Sequence, residues 1–290
     1  MSTFVLRENE VSLPASVIER PARLGLSEQL QQRHYDRIAD AYEAHYSDRY
    51  SLEYRRRFIY EPMFEGLHLS GMSILDAMCG SGQTTEYLLS QDARVTGLDI
   101  SGAAIASFGS RWPNCKAVHG SLLDSGLPSN SFDCAVVVGG LHHIHPNVSR
   151  AVREIQRVLK PGGYFCFMEP HSGSIPDIIR RRWYKVDHYF SENEAAVNLG
   201  ALEKEFTGSF SFGRTKYCGN LAFLLVLNSL IFRIPLRAKP AYSPALMACE
   251  AALGKLQGKL TSCFAVGQWR KSDRVSGRGQ TNGGDRFRSH

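Results

Sequence analysis

The sequence predicts an α/β fold built on a mainly parallel sheet. Between residues 73 and 168, short apolar strand candidates alternate with amphipathic helix candidates, and the candidate at 132–138 is apolar apart from Asp133. Alternation of this kind implies parallel strands joined by helices on both faces of the sheet, and nearly continuous apolar runs are typical of buried parallel strands. A chain of 290 residues, of which 43% are hydrophobic, can bury such a core.

The elements follow one another in a regular order. A helix is predicted over 27–48, because Tyr35, Ile38, Tyr42 and Tyr46 recur at spacings of three and four. The strand candidates are 73–78, 94–99, 116–119, 132–138 and 164–168, and the helices between them are 83–90, 101–108 and 148–159. The last helix stops at the sequence KPGG over 160–163, where proline and glycine cannot continue it.

A glycine-rich turn joins the first strand of this series to its helix. The sequence ILDAMCGSG over 74–82 contains Gly80 and Gly82, and glycine lets a backbone approach a ligand closely. The amides of such a turn and of the following helix start would face the ligand. Asp99 ends the second strand, where a carboxylate can accept the hydroxyls of a ribose. A glycine pair alone is weak evidence, but Asp99 makes a nucleoside site the stronger interpretation.

These residues resemble motif I of the class I S-adenosylmethionine-dependent methyltransferases, in which an acidic residue precedes x-G-x-G-x-G. Asp76 matches the acidic residue, Gly80 and Gly82 match the last two glycines, and Met78 replaces the first. The segments GLDIS over 97–101, GSL over 120–122, GGLHHI over 139–144 and RVLKPGG over 157–163 extend the likeness, which covers about residues 30–170. Ser121 stands where the family often has aspartate.

The resemblance implies S-adenosylmethionine as cofactor, no metal, and a Rossmann-like sheet of seven strands with an antiparallel last strand. The cofactor contacts it implies are Tyr42, Asp76, Cys79, Gly80, Gly82, Asp99, Ile100, Ser121, Leu122 and Gly139. Tyr42 is included because YDRIADAY over 35–42 resembles the family's lid segment, although an aromatic stripe in the core explains it equally well. His143 is the candidate base for a hydroxyl acceptor, beside the alternative that it only shapes the loop. His142, Glu169 and His171 are further candidates, as are Asp187-His188 and the arginine runs at 55–57 and 180–182.

The resemblance also organises the C-terminal part of the chain. Strand six is expected at 210–217 and strand seven at 261–271, which leaves an insertion at about 219–259. The predicted domains are a flexible extension at 1–26, a methyltransferase domain at 27–271, and a disordered basic tail at 272–290.

The insertion contains an apolar segment, 221–236, which is predicted to be a helix followed by a second helix that opens with Ser243 and Pro244. A helix that is apolar on nearly all sides must be buried somewhere. Three partners fit: this domain, a second subunit, or a lipid surface. The insertion is therefore predicted to be a cap for an apolar acceptor or a peripheral membrane contact.

The charge distribution and the cysteine pattern reduce the number of functional classes that fit the sequence. Six basic and two acidic residues between Arg270 and His290 hold most of the formal net charge of +6, so the body is nearly neutral and a nucleic-acid partner is not expected. The seven cysteines form no C-x-x-C pair, and no basic, apolar leader opens the sequence. These features favour a reduced, cytoplasmic protein, with membrane association as an addition.

The predicted function is methylation, at oxygen or carbon, of a small-molecule, lipid-linked or glycan acceptor. One alternative is a binding module that keeps the cofactor but has lost catalysis, which Met78 and Ser121 would favour. A second is a nicotinamide-dependent oxidoreductase, but Thr85 occupies the position where that fingerprint needs a small residue. A third is a protein or nucleic-acid methyltransferase, although no N-P-P-Y or D-P-P-Y motif follows the fourth strand.

Overall fold

The computed structural model describes residues 17–19, 25, 28–29, 32–33, 44–184 and 194–273. Within these residues, nine strands form one sheet. The strands are β1 Val17–Glu19, β2 Ser73–Ala77, β3 Arg94–Asp99, β4 Lys116–His119, β5 Phe132–Val138, β6 Leu159–Glu169, β7 Phe210–Phe212, β8 Lys216–Cys218 and β9 Phe264–Lys271. Their order is β1-β4-β3-β2-β5-β6-β9-β7, and β8 also pairs with β9. The strands from β1 to β6 are mutually parallel, and β9 runs antiparallel to its neighbours, as predicted.

Helices connect these strands on both faces. The helices are α1 Arg49–Arg55, α2 Glu61–Met63, α3 Gln83–Ser90, α4 Gly102–Arg111, α5 Val148–Val158, α6 Ile175–Tyr184, α7 Leu199–Glu205 and α8 Lys239–Gly254. Single π-helical turns lie at Arg56–Tyr60 and Phe223–Leu227, and short 3₁₀ turns at Leu141–His143 and Leu236–Ala238. Helix α5 stops where the sequence predicts. In the described part of the chain, no helix has the length and hydropathy needed to cross a bilayer.

The sheet has two more strands than the seven that were predicted. The first addition is β1, which pairs with β4 at the sheet edge, so the expectation of a loose extension is wrong for Val17–Glu19. The second arises because the predicted strand at 210–217 is divided into β7 and β8. Gly213 lies in the break, where its N–H donates to the Gln268 carbonyl and an added Cβ would meet that oxygen at 2.6 Å. The chain therefore leaves the ladder between the two short strands.

The two faces of the sheet bury separate apolar clusters, because side chains alternate along each strand. On one face, alternate residues such as Leu75 and Val137 pack against α5 and α7. On the other face, their neighbours, such as Ile74 and Val136, pack against the segment from α1 to α2 and against the insertion. The central strands are thus covered on both sides.

Residues 219–263 lie between β8 and β9, and the two helices of this insertion differ from the prediction. Only Leu221–Leu227 of the apolar segment is helical, because Asn228 ends it with its side-chain amide and its backbone N–H both donating to the Phe223 carbonyl. The second helix begins at Lys239, so Ser243 and Pro244 lie inside it; Pro240 is the proline of its first turn. A proline four residues earlier than expected supplies the same start signal.

The insertion is buried against its own domain, which is one of the three partners considered. Ala222, Val226, Leu227 and Met247 lie in the same cluster as Tyr54 of α1. Buried Glu250 of α8 holds this arrangement together. Its carboxylate accepts the Tyr54 hydroxyl at 2.9 Å and the backbone N–H groups of Asn220, Ala222 and Phe223 at 2.9, 2.9 and 3.4 Å. Deleting the insertion would therefore open the core.

We predict that Glu250→Gln lowers the free energy of unfolding by about 2–4 kcal/mol, because an amide presents an NH₂ group to donors that need an acceptor. Urea unfolding followed by circular dichroism measures the change. The matched control is Glu65→Gln, which removes the charge from an exposed ion pair with Lys216 and should leave stability nearly unchanged. Equal effects from the two variants would contradict the role given to Glu250.

Candidate cofactor and acceptor site

The turn after β2 has the left-handed backbone that a close ligand approach requires. Gly80 has φ of 55° and Gly82 has φ of 95°. The Gly82 N–H donates to the Cys79 carbonyl at 3.0 Å, and the Cys79 N–H donates to Leu98 of β3 at 3.1 Å. A Cβ on Gly82 would lie 2.3 Å from the Trp112 indole nitrogen, so only glycine fits there. The glycines of the motif are therefore required for two reasons. Both have a left-handed backbone, and at Gly82 there is no room for a Cβ.

Met78 adopts the same left-handed conformation, with φ of 59°. This is the position at which the family pattern has its first glycine. A residue with a Cβ at such an angle costs about 1–3 kcal/mol. The turn keeps its shape with methionine in place, and the Met78 side chain lies over Gly140, where an added Cβ would meet its sulfur at 2.6 Å. The substitution therefore adds strain without removing the turn.

Asp99 links this turn to the end of β3. One carboxylate oxygen accepts the Gly80 N–H at 2.8 Å, and the other accepts the Ser101 N–H at 2.8 Å. Asp76 of β2 is fully buried and accepts a hydrogen bond from the Thr85 hydroxyl at 2.7 Å. Burial raises the pKa of Asp76 to about 7. Asp76 thus ties the strand to the start of α3, whereas Asp99 stands at the ligand side of the turn.

A cavity opens beside Asp99. It brings together four of the predicted cofactor residues: Asp99, Ile100, Ser121 and Leu122. The remaining lining residues are Glu28, Met78, Leu98, Gly120, Leu123 and Ile144. The lining therefore combines carboxylates, which can accept hydrogen bonds from hydroxyl groups, with apolar side chains, which can pack on a flat ring. Cys79, Gly80 and Gly82 form the adjoining turn, and Gly139 follows β5 at the same edge of the sheet. Tyr42 lies outside the described residues.

The N-terminal segment reaches this cavity, a contact that the sequence did not predict. Glu28 lines the cavity and accepts a hydrogen bond from the Ser121 hydroxyl. Farther along, Gln32 lies 3.4 Å from the His119 ring, and Ser47 accepts a hydrogen bond from Gln83 at 3.2 Å. Glu28, near the start of the predicted 27–48 helix, therefore lies against the cavity, although the sequence signal for that helix was an aromatic stripe rather than this polar residue.

A histidine and a glutamate form a buried pair at the ends of β5 and β6. His142 Nδ1 lies 2.8 Å from Glu169, whose carboxylate also accepts the backbone N–H groups of Gly140, Leu141 and His142 at 2.8, 2.7 and 3.3 Å. Burial raises the pKa of Glu169 to about 7, and burial next to His143 lowers the pKa of His142 well below its usual range. The pair is thus built to orient one imidazole.

His143, the predicted base, lies beside this pair. Its ring centroid is 3.8 Å from that of His142, and its Nδ1 is 3.3 Å from Glu194. His142 instead places its Cε1 about 3.8 Å from where a Cβ of Gly139 would stand. Glu169, one of the further candidates from the sequence, is the residue that distinguishes the two histidines.

The other sequence candidates have structural partners. His171 is buried, donates to or accepts from the Ser262 hydroxyl at 2.8 Å, and packs edge-on against Tyr217. Tyr46 is buried and donates to the Asn228 side chain at 3.0 Å. The arginine runs at 55–57 and 180–182 supply ion pairs with Glu53, Glu61 and Asp177. Asp187-His188 lies outside the described residues.

The fold is a Rossmann-like α/β sheet with a pocket beside Asp99 at its carboxyl edge. Residues 75–167 match the family model described as a methyltransferase domain. This part of the chain is therefore similar to a methyltransferase domain, as the sequence motifs indicate.

Relatives and solved structures agree with this family. An uncharacterized methyltransferase of Synechocystis is 35% identical over 112 residues, covering 38% of this chain and 53% of that protein. A demethylmenaquinone methyltransferase of Staphylococcus aureus is 33% identical over 112 residues, covering 37% and 46%. The chain thus spans about half the length of these relatives. A chain from the complex of the Trm112 methyltransferase activator of Haloferax volcanii shares the fold, with a TM-score of 0.58 at 15% identity over 84% of this chain and 98% of that one.

We predict that Met78→Val lowers the free energy of unfolding by about 2 kcal/mol relative to Met78→Gly, because a β-branched side chain is strained at positive φ. Thermal unfolding of the two variants measures the difference. Met72, partly buried and without positive φ, is the matched control, and there the glycine variant should be the less stable of the two. A Met78→Val protein as stable as Met78→Gly would contradict the strain.

Proposed function

We propose that this protein transfers a methyl group from S-adenosylmethionine to oxygen or carbon of a small apolar acceptor. The observation that carries the proposal is the position of Asp99, which lies between the left-handed turn and the cavity. A carboxylate at the end of the second strand suits the two hydroxyls of a ribose. Ile100 and Leu122 supply apolar walls for an adenine, and Ser121 supplies a hydroxyl that can both donate and accept.

The chain's residues fit this cofactor. Gly80 and Gly82 give the turn no side chains that could occupy the ligand space. Gly139 and Gly140 likewise leave the neighbouring strand end without side chains. The bound cofactor would supply an electrophilic methyl group on a sulfonium. The protein then has to position the acceptor and exclude water. Met78 keeps the glycine-like backbone, so the substitution leaves the cofactor turn in place.

The names of the relatives support an apolar acceptor. Several are demethylmenaquinone methyltransferases, whose name gives a quinone as substrate. Because this chain covers less than half of those proteins, the acceptor class is part of our proposal. A quinone-like or other lipid-soluble molecule also suits the apolar insertion, which packs on the same domain as the cofactor site.

For a hydroxyl acceptor, we propose His142 as the base and Glu169 as its positioning residue, in place of His143. When Glu169 is ionised, it accepts the Nδ1 proton of His142 and leaves Nε2 as a bare acceptor. When Glu169 is protonated, it donates to Nδ1, and the ring proton moves to Nε2. The pair therefore becomes a competent base as the Glu169 carboxyl loses its proton.

The proposed function is tested by incubating the protein with S-adenosylmethionine labelled on its methyl group and a cell extract separated into lipid, glycan, small-molecule and protein pools. We expect label in the lipid or small-molecule pool. Asp99→Ala is the matched control and should reduce the transfer when S-adenosylmethionine is below saturation. Label confined to the protein pool would contradict the acceptor class, and absence of label from every pool would contradict the activity.

We predict that the rate of methylation of a hydroxyl acceptor rises with pH through about 7, because deprotonation of Glu169 creates the basic form of His142. His142→Ala should lower kcat by about 10²–10⁴-fold and leave cofactor affinity unchanged. Glu169→Gln should lower kcat and remove the pH dependence near 7, since an amide donates to Nδ1 and fixes the wrong tautomer. If His143→Ala instead causes the larger loss, the base is His143, as the sequence alone suggested.

A further inference from the structure

Two exposed apolar segments lie next to each other near the site. Ile175, Ile178 and Ile179 occupy one face of α6 at a spacing of three and four, and they are 55, 52 and 61% exposed. Leu253, Leu256 and Leu260 occupy the end of α8 and the turn after it, and Leu256 is 87% exposed. The Ile175 N–H donates to the Leu260 carbonyl at 2.8 Å, which joins the two segments. We call these six residues the edge patch.

The edge patch lies on the same side of the sheet as the proposed active site. Helix α6 follows the end of β6, where Glu169 lies, and Leu260 precedes β9, whose Ala265 pairs with Glu169. The carboxyl edge of the parallel strands also carries the cofactor turn and His142. A surface that covered the edge patch would therefore lie close to the acceptor entrance.

The exposed charges within the two segments that form the edge patch have one sign. The exposed ionisable side chains of Ile175–Arg182 and Leu253–Leu260 are basic: Arg181, Arg182, Lys255 and Lys259. The acidic residue in the first segment, Asp177, is buried and paired with Arg180 and Arg181. Branched aliphatic side chains ringed by cations suit an anionic lipid interface, where the apolar groups enter the acyl boundary and the cations meet phosphates.

A second copy of the chain fits this surface less well. A two-fold dimer would place the same patch against itself. The cations of one copy would then face those of the other, and like charges across an interface weaken association. The charge pattern therefore favours an anionic partner.

We propose that the edge patch docks this protein on the surface of an anionic lipid bilayer. The edge patch replaces the membrane contact that was predicted at 221–236, because Ala222, Val226 and Leu227 of that segment are buried in the domain. Docking would present the carboxyl edge of the sheet to lipid. The consequence that the acceptor is taken from the bilayer rests on the proposed methyl transfer, whereas the docking itself does not.

Cosedimentation of the full chain with vesicles tests the proposal. We expect binding to an equimolar mixture of phosphatidylcholine and phosphatidylglycerol, and little binding to phosphatidylcholine alone. Leu256→Ser combined with Leu260→Ser should weaken binding about tenfold or more, because exposed leucines contribute by entering the acyl boundary. Lys255→Glu combined with Lys259→Glu should weaken it by about 25-fold or more, at about fivefold for each cation.

Matched controls use equivalent residues outside the patch. Leu236→Ser changes an exposed leucine of the insertion, and Lys116→Glu changes an exposed lysine at the opposite edge of the sheet. Both should bind vesicles like the unaltered chain. S-adenosylhomocysteine binding by every variant reports an intact fold, and it tests the proposed function independently of docking.

Three results would overturn the proposal. One is failure of the unaltered chain to bind the anionic vesicles, and another is an equal loss of binding in the control variants. The third is a dimer of the unaltered chain, seen by sedimentation velocity without lipid, together with no vesicle binding. The Leu256→Ser, Leu260→Ser variant would then be a monomer. That last result would assign the edge patch to a second copy of the chain.

Discussion

The hydrogen bond from the Gly80 N–H to the Asp99 carboxylate is the interaction on which the site depends. It joins the turn after β2 to the end of β3, two strands that are neighbours in the sheet. The turn can reach Asp99 because Met78, Gly80 and Gly82 all have positive φ. The same geometry leaves the cavity open on the side where Ile100 and Ser121 lie. The pocket that we propose for the cofactor nucleoside thus depends on one backbone path and one carboxylate.

Much of the sheet could be predicted because its signals are local. Buried parallel strands are nearly continuous apolar runs, and the glycine at 82 marks a position where an added Cβ has no room. The division of strand six and the helix start at Lys239 were missed for a different reason. Gly213 and Pro240 carry the necessary signals, but their meaning depends on the position of Gln268 and on a competing proline at 244.

The site could be predicted only where a motif carried it. Asp99, Ile100, Ser121 and Leu122 were expected together and line one cavity. The roles of Glu28 and Glu169 depend on contacts between residues distant in the sequence, at separations of 93 for Ser121–Glu28 and 27 for His142–Glu169. No local pattern reports such pairs. The sequence could therefore locate the histidines but could not choose between them.

We propose that Asp99 holds the ribose of S-adenosylmethionine, and calorimetric titration with S-adenosylhomocysteine tests this role directly. We expect saturable binding to the unaltered protein, weakened in Asp99→Ala by about 1–3 kcal/mol, the usual loss for hydrogen bonds to a charged group. Asp273→Ala, which alters an exposed carboxylate far along the chain, should bind like the unaltered protein. Equal binding by Asp99→Ala, or binding of a nicotinamide dinucleotide in place of S-adenosylhomocysteine, would contradict the role given to Asp99.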